Sequence, residues 1–452
     1  MTHKLLQKCT AKVNTPKPTH VMERLMSKQS DITKRFLLSA KHQEIQALQH
    51  LSSNCRTVKA VKDMIHQLQR ERGLSNVFLG SKGDRFGEQR LQQITASEVC
   101  EQDLRSLLKS LYLGQHDNGQ SMRLLSSITF ALQGMDHLPD LRNKIAAQQL
   151  TPLESTNAYC RLITGLLDVV FEAADVASDP TMTRLLVALF NFMQGKEYAG
   201  QERAWGAIGF AESHFDSDLG DRVSALSDAQ QHCFETFENF ADEEEMQMWQ
   251  LQQSSDTATQ ISRLRGMIQS LASGGECSAE LSEIWYDIAT QRIDAMQSIE
   301  EHLTDRLTDQ ATLRIQQAEE ELRNHEMLIA SLNNSPPLTD TPITMLYDNT
   351  VKGLKGAGRE ANKLPEGSAL SAHKSFYDLI RGQAQRIEDM ADELSAARQA
   401  LNEQKVIDRA KLLLMQQGGL SEQQAYRKLQ SSAMEQNMRL SDLAQRVVSR
   451  VG

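Results

Sequence analysis

Aromatic residues make up only 5% of this 452-residue chain, and 9 prolines and 24 glycines are few for the length. Sheet-rich folds draw on β-branched and aromatic strands with frequent Gly/Pro turns, so the composition argues against them. The six cysteines, Cys9, Cys55, Cys100, Cys160, Cys233 and Cys277, form no CxxC pair. That excludes a disulfide scaffold and a sequence-local zinc site, and it fits a reducing compartment. No apolar run approaches the roughly 18–20 residues of a membrane span. The nearest, Leu162–Phe171, is interrupted by Asp168. Lys4, Lys8, Lys12 and Lys17 precede no apolar segment, so the start of the chain does not read as a secretory signal. The expectation is a soluble, cytoplasmic protein with no membrane contact and a polar leader over residues 1–29, mobile over residues 1–20.

What the chain does have is helix-forming residues: Leu, Gln, Ala, Glu, Met and Arg. Hydrophobic residues at 40% and charged residues at 24% are enough to build a large core. No proline falls between Pro180 and Pro336 or after Pro365, so long helices are permitted in both stretches. The fold class is therefore all-α. Net charge is −10, but from Arg398 onward nine Lys/Arg face five Asp/Glu. A mildly basic tail thus follows an acidic body, suited either to a polyanion or to an ordinary solvated face.

Residues 30–305 read as one large helical unit. Ile45, Leu48, Leu51, Val58, Val61, Ile65 and Leu68 recur at helical spacing. Asp117-Asn118-Gly119 and Gly274-Gly275 mark breaks. Thr151-Pro152 suits an N-cap followed by the first helical turn. Thr181–Ala211 is apolar nearly all round, as a buried helix should be. Residues 306–375 hold a polar helical extension and a Pro/Gly-rich flexible linker, Asn333–Ser368. Across 376–404, Phe376, Ile380, Ile387, Met390, Leu394, Ala397 and Leu401 follow coiled-coil steps, with Gln383 in one polar slot. This seam predicts a homodimer, at least in the active state; a long amphipathic helix packed within one chain would show the same pattern. Residues 405–452 form a three-helix unit: the long helix stops at Gly418-Gly419, Ser421-x-x-Gln424 makes a capping box, and Ser441 caps a third helix.

Two segments resemble one another, Glu71-Arg72-Gly73-Leu74 and Glu202-Arg203-Ala204-Trp205. Each sets an arginine beside a small residue on an otherwise apolar helix, and a small residue permits close approach. Each glutamate adjoins its arginine and points elsewhere on the helix, so it is a poor partner for it. Two converging guanidinium forks would hold a small planar anion bidentately. In the alternative, each arginine is paired with a distant carboxylate. No metal-binding histidine spacing, G-x-S-x-G elbow or kinase loop set appears, so the chain does not read as an enzyme.

The segment Leu68-Gln-Arg-Glu-Arg-Gly-Leu-Ser75 resembles the first motif of the NIT family of nitrate- and nitrite-sensing domains. Leu141–Ile145 with Tyr159–Ile163, then Lys196-Glu-Tyr-Ala-Gly-Gln-Glu-Arg-Ala204, and finally Trp285–Glu300 resemble its later segments. The C-terminal Lys405, Arg409-Ala410-Lys411, Ala425-Tyr426-Arg427-Lys428-Leu429 and Arg439-Leu440 resemble the ANTAR family of RNA-binding antitermination domains. The resemblance implies a pair of helical bundles binding nitrate or nitrite through Arg72 and Arg203, with no cofactor. It further implies that a leader RNA with tandem stem-loops is the partner of the ANTAR unit. Hairpin loops expose unstacked bases and stems expose phosphates, so a basic helical face suits both. The residues expected to carry RNA binding are Lys405, Arg409, Lys411, Arg427, Lys428 and Arg439. Anion binding is expected to free or reorient them, producing nitrate-responsive transcription antitermination. The rival reading is a coiled-coil scaffold whose arginines are structural.

Overall fold

The computed structural model describes residues 20–113, 121–175, 177, 179–211, 215, 217–271, 278, 280–333, 368–418, 420 and 422–451. Among these, all regular structure is helical. The order is α1 His20–Gly80, α2 Gly87–Tyr112, α3 Met122–Asp136, α4 Leu138–Ala146, α5 Pro152–Asp175, α6 Pro180–Ala211, α7 Ser217–Phe240, α8 Glu243–Gln253, α9 Asp256–Leu271, α10 Leu281–Asn333, α11 Ser368–Gly418, α12 Glu422–Glu435 and α13 Leu440–Val451. The turns expected at 117–119 and 274–275, the linker over 334–367 and the cap Ser421 lie outside the described residues, as do the side chains of Phe376, Ile380 and Gln383.

Local sequence fixes several helix starts. Thr151 Oγ1 accepts from Glu154 N at 3.2 Å while Glu154 Oε2 accepts from Thr151 N at 2.8 Å, a reciprocal cap at the head of α5. Asp179 Oδ1 accepts from Met182 N at 3.0 Å at the head of α6, where Pro180 needs no donor of its own. α1 begins at His20 and takes in the last ten residues of the polar leader. α10 runs through residue 305 without a break, since no proline or glycine interrupts it. One expectation is corrected. α13 begins at Leu440, so Ser441 sits inside its first turn instead of capping it.

The chain divides into two compact units. One comprises residues up to 46 and 316–385; α1 and α10 meet there through buried Leu37 and Leu332, and Lys41 pairs with Glu321. The other comprises 47–315 and 386–452 and contains three cores. In the first, Val58, Ile65 and Leu68 of α1 pack with Ile163 and Val170 of α5, Leu186–Phe192 of α6, and Met296 and Leu303 of α10. The second collects Trp205 and Phe210 of α6, Val223 and Leu226 of α7, Ile261 and Ile268 of α9, and Trp285 of α10. Helix α6 supplies both, which is why it is apolar nearly all round. A third, small core joins Ile407 and Ala410 of α11, Leu429 and Ala433 of α12, and Leu443 and Ala444 of α13.

The proposed coiled-coil seam is used differently from expectation over its described part. Ala397 and Leu401 are each 1% exposed and belong to the first core, covered by helices of the same chain. Ile387, nearly three turns before Ala397 in the seam pattern, is 67% exposed. An a/d stripe needs an apolar cover and does not specify which helix provides it.

Candidate anion site and basic C-terminal surface

Arg72 on α1 and Arg203 on α6 both enter the interface between their helices. A Cβ on Gly73 would lie 2.7 Å from Arg203 Nη2 and 2.8 Å from Tyr286 Oη. A Cβ on Gly200 would likewise overlap Arg72 Nη2. Each guanidinium therefore occupies space opened by a glycine of the opposite helix.

Their partners differ. Arg72 is wholly buried, and its Nη1 and Nη2 donate to the two oxygens of Glu197, Nη2 at 3.1 Å. Nη1 also donates to Cys160 Sγ at 3.1 Å. Burial opposes the charge on Arg72, but the adjacent Glu197 carboxylate outweighs it and holds the guanidinium above its ordinary pKa. The Nε–H of Arg72 is buried with no acceptor among the described residues. Arg203, 5% exposed, donates to Thr290 Oγ1 at 3.0 Å and to the Gln69 carbonyl at 3.3 Å, and lies 5.0 Å from the Tyr286 ring centroid. Among the described residues no carboxylate pairs with it. The alternative in which both arginines are neutralised by distant carboxylates thus applies to Arg72 alone.

The motif glutamates are engaged elsewhere. Glu71 accepts from Arg142 Nε at 2.8 Å, Arg142 Nη2 at 2.9 Å and Tyr159 Oη at 2.8 Å. Glu202 accepts from Arg265 Nε at 2.6 Å and Nη2 at 2.7 Å; burial would raise its pKa, but Arg265 draws it below the ordinary value. Lys196 of the same motif pairs with Glu300 of α10 at 2.6 Å. Sequence reasoning missed Glu197. Its signal was present, since it lies inside the Lys196–Ala204 motif, but its partner is 125 residues away.

At the C-terminal end the six predicted RNA-contacting residues fall into two sets. Arg409, Lys428 and Arg439 are exposed. Lys405 pairs with Glu172 of α5 at 3.3 Å and sits 5.2 Å from the Phe171 ring. Arg427 pairs with Asp221 of α7 at 2.8 Å. Lys411 is 6% exposed and pairs with Asp408 at 2.8 Å. Arg398 donates to the Ala177 carbonyl at 3.3 Å. Tyr426 is partly buried against the third core, and burial pushes its hydroxyl up to about 12. No described helix is long and apolar enough to cross a membrane.

A sensor body with buried arginines, joined to a small basic three-helix output unit, defines a one-chain ligand-responsive regulator. Residues 63–308 match the family described as nitrate and nitrite sensing, and the chain belongs to that family. Residues 395–448 match the ANTAR domain. The chain is 28% identical over 411 residues to a nitrate regulatory protein of Klebsiella oxytoca, covering 91% of this chain and 93% of the relative. Its fold is similar to the solved structure of the NasR transcription antiterminator, with a TM-score of 0.57 and 25% identity, over 93% of this chain and 98% of that one.

Proposed function

We propose that this protein is a nitrate- or nitrite-responsive transcription antitermination regulator, acting in the cytoplasm without a cofactor and without catalysis. The anion binds at Arg72 and Arg203. The output unit binds a leader RNA carrying tandem stem-loops and prevents the competing terminator from forming. The observation that carries this reading is that Lys405, Lys411 and Arg427, half of the predicted RNA-contacting set, are engaged by carboxylates, two of them on sensor helices. A surface in that state is poorly disposed to bind phosphates, because three of its six cations already have an anion. Ligand binding must favour a second arrangement in which the Lys405–Glu172 and Arg427–Asp221 contacts open, since only a differential affinity shifts a population. Release of α11 would also expose Ala397 and Leu401, completing an apolar seam for a homodimer that engages two stem-loops at once. The scaffold reading is disfavoured by Arg203, a nearly buried cation that no carboxylate among the described residues neutralises.

The test is a gel shift of the full chain on a two-stem-loop leader RNA, with nitrate, nitrite or chloride, at several salt concentrations. RNA binding that rises with nitrate or nitrite but not chloride, and falls with salt, is the expected result. Equal binding under all three anions would rule out the gating.

A further inference from the structure

The carboxylate of Glu197 is saturated by protein donors, two on each oxygen. Oε1 accepts from Arg72 Nη1 and from Gln201 Nε2 at 3.0 Å. Oε2 accepts from Arg72 Nη2 at 3.1 Å and from Gln69 Nε2 at 2.9 Å. Arg72 and Glu197 are each about 1% exposed at the side chain. The donors come from α1 (Gln69, Arg72) and from α6 (Gln201), the two helices that also carry Gly73 and Arg203. Four N–H groups around a planar, charge-delocalised O–C–O head form a receptor for a trigonal oxyanion. The head of Glu197 has the geometry of nitrate with one oxygen replaced by its own side-chain carbon.

The charges beside it do not cancel. Arg72 and Arg203 bring two positive charges and Glu197 one negative, an excess that favours an incoming anion. The buried Nε–H of Arg72 has no acceptor among the described residues, so the same guanidinium keeps one donor for an oxyanion. We propose that Glu197 is the built-in competitor of the sensed anion: it occupies the Arg72 fork in the resting state, and the external anion must take that fork from it. This rests on the assignment of the anion site to Arg72 and Arg203. The consequence is that Glu197 sets the concentration threshold of the sensor. A resting state with its fork already filled binds weakly, because the incoming anion gains only the difference between its own hydrogen bonds and those it displaces. It also gives the switch its mechanical element. Displacing Glu197 moves a side chain rooted on α6 next to Lys196, which is tied to Glu300 of α10.

The variant Glu197→Gln, in the full chain, keeps the shape and one acceptor for Arg72 but removes the competing charge. Calorimetric titration with nitrate is expected to show affinity at least tenfold above wild type, and the gel shift should respond at correspondingly lower nitrate. Equal or weaker affinity, with wild-type circular dichroism, would overturn the proposal. Should Glu197→Gln fail to fold, difference infrared spectroscopy on wild-type protein labelled with 13C-carboxyl glutamate decides. Nitrate should then shift a glutamate carboxylate band, and an unchanged glutamate spectrum at saturating nitrate overturns the inference. Arg203→Ala separates the two levels. If it leaves nitrate titration unaltered, the site assignment fails and the competitor role with it. If it abolishes binding while Glu197→Gln changes nothing, only the competitor role fails.

Discussion

Arg203 of α6 lies against Gly73 of α1 so closely that its Nη2 leaves 2.7 Å for any Cβ at that position. Gly200 of α6 stands in the same relation to Arg72 of α1. The glycines are thus reciprocal clearances for the two guanidinium groups. Gly73→Ala and Gly200→Ala are expected to displace the arginines and to weaken nitrate binding at least tenfold. Gly266 on α9 is the control, since a Cβ there meets nothing within 4 Å. Gly266→Ala should stabilise the protein by about 0.5–1 kcal/mol through helix propensity, with normal nitrate titration. Loss of response in the control, or none in the other two, would contradict this account.

The two arginine-to-alanine variants should separate in stability. Arg203→Ala removes hydrogen bonds to Thr290 and Gln69 without orphaning a carboxylate, so the fold should persist while nitrate affinity drops by roughly 10- to 100-fold, about 1.5–3 kcal/mol. Arg72→Ala leaves the Glu197 carboxylate buried and unpaired, at a cost of about 3–5 kcal/mol. From sequence alone the two changes look equivalent and harmless to the fold; the buried pair makes them unequal. Urea unfolding of both variants checks this, and equal midpoints would count against it.

Glu172→Lys together with Asp221→Lys reverses the two sensor charges that hold Lys405 and Arg427. Each pair is partly exposed and is worth at most about 1 kcal/mol, but reversal adds repulsion to the loss. The double variant should bind leader RNA without nitrate. RNA affinity that still depends fully on nitrate would place the gate elsewhere.

Acid should destabilise the sensor body through His66. Burial, then the charges of Lys196, Arg70, Lys62 and Arg203, pushes its imidazole down to about 3. Its Nδ1 faces Lys196 Nζ at 3.5 Å. The unfolded chain therefore binds a proton near the ordinary histidine pKa that the folded chain refuses until about pH 3. The sign is that stability is full above the unfolded pKa and declines as pH falls below it. Thermal unfolding from pH 7.5 to 5 should show a falling melting temperature, and His66→Gln should flatten the slope.

Much of the architecture was legible in the chain itself. The shortage of prolines and aromatics, the Thr151-Pro152 start, and the three- and four-residue apolar steps are local properties, so they determine helices and their buried stripes without reference to anything distant. The two Arg-small motifs and the basic face around Lys405–Arg439 could be located in the same way. Only the tertiary structure decided what each of these groups meets. Arg72 finds Glu197 and Arg203 finds Thr290 and Tyr286, at separations that no periodicity encodes. Ala397 and Leu401 are covered by the sensor core because an apolar stripe specifies the need for a cover and not its source. Pairing of buried charge depends on which helices cross and where, and that is settled by packing of the whole core.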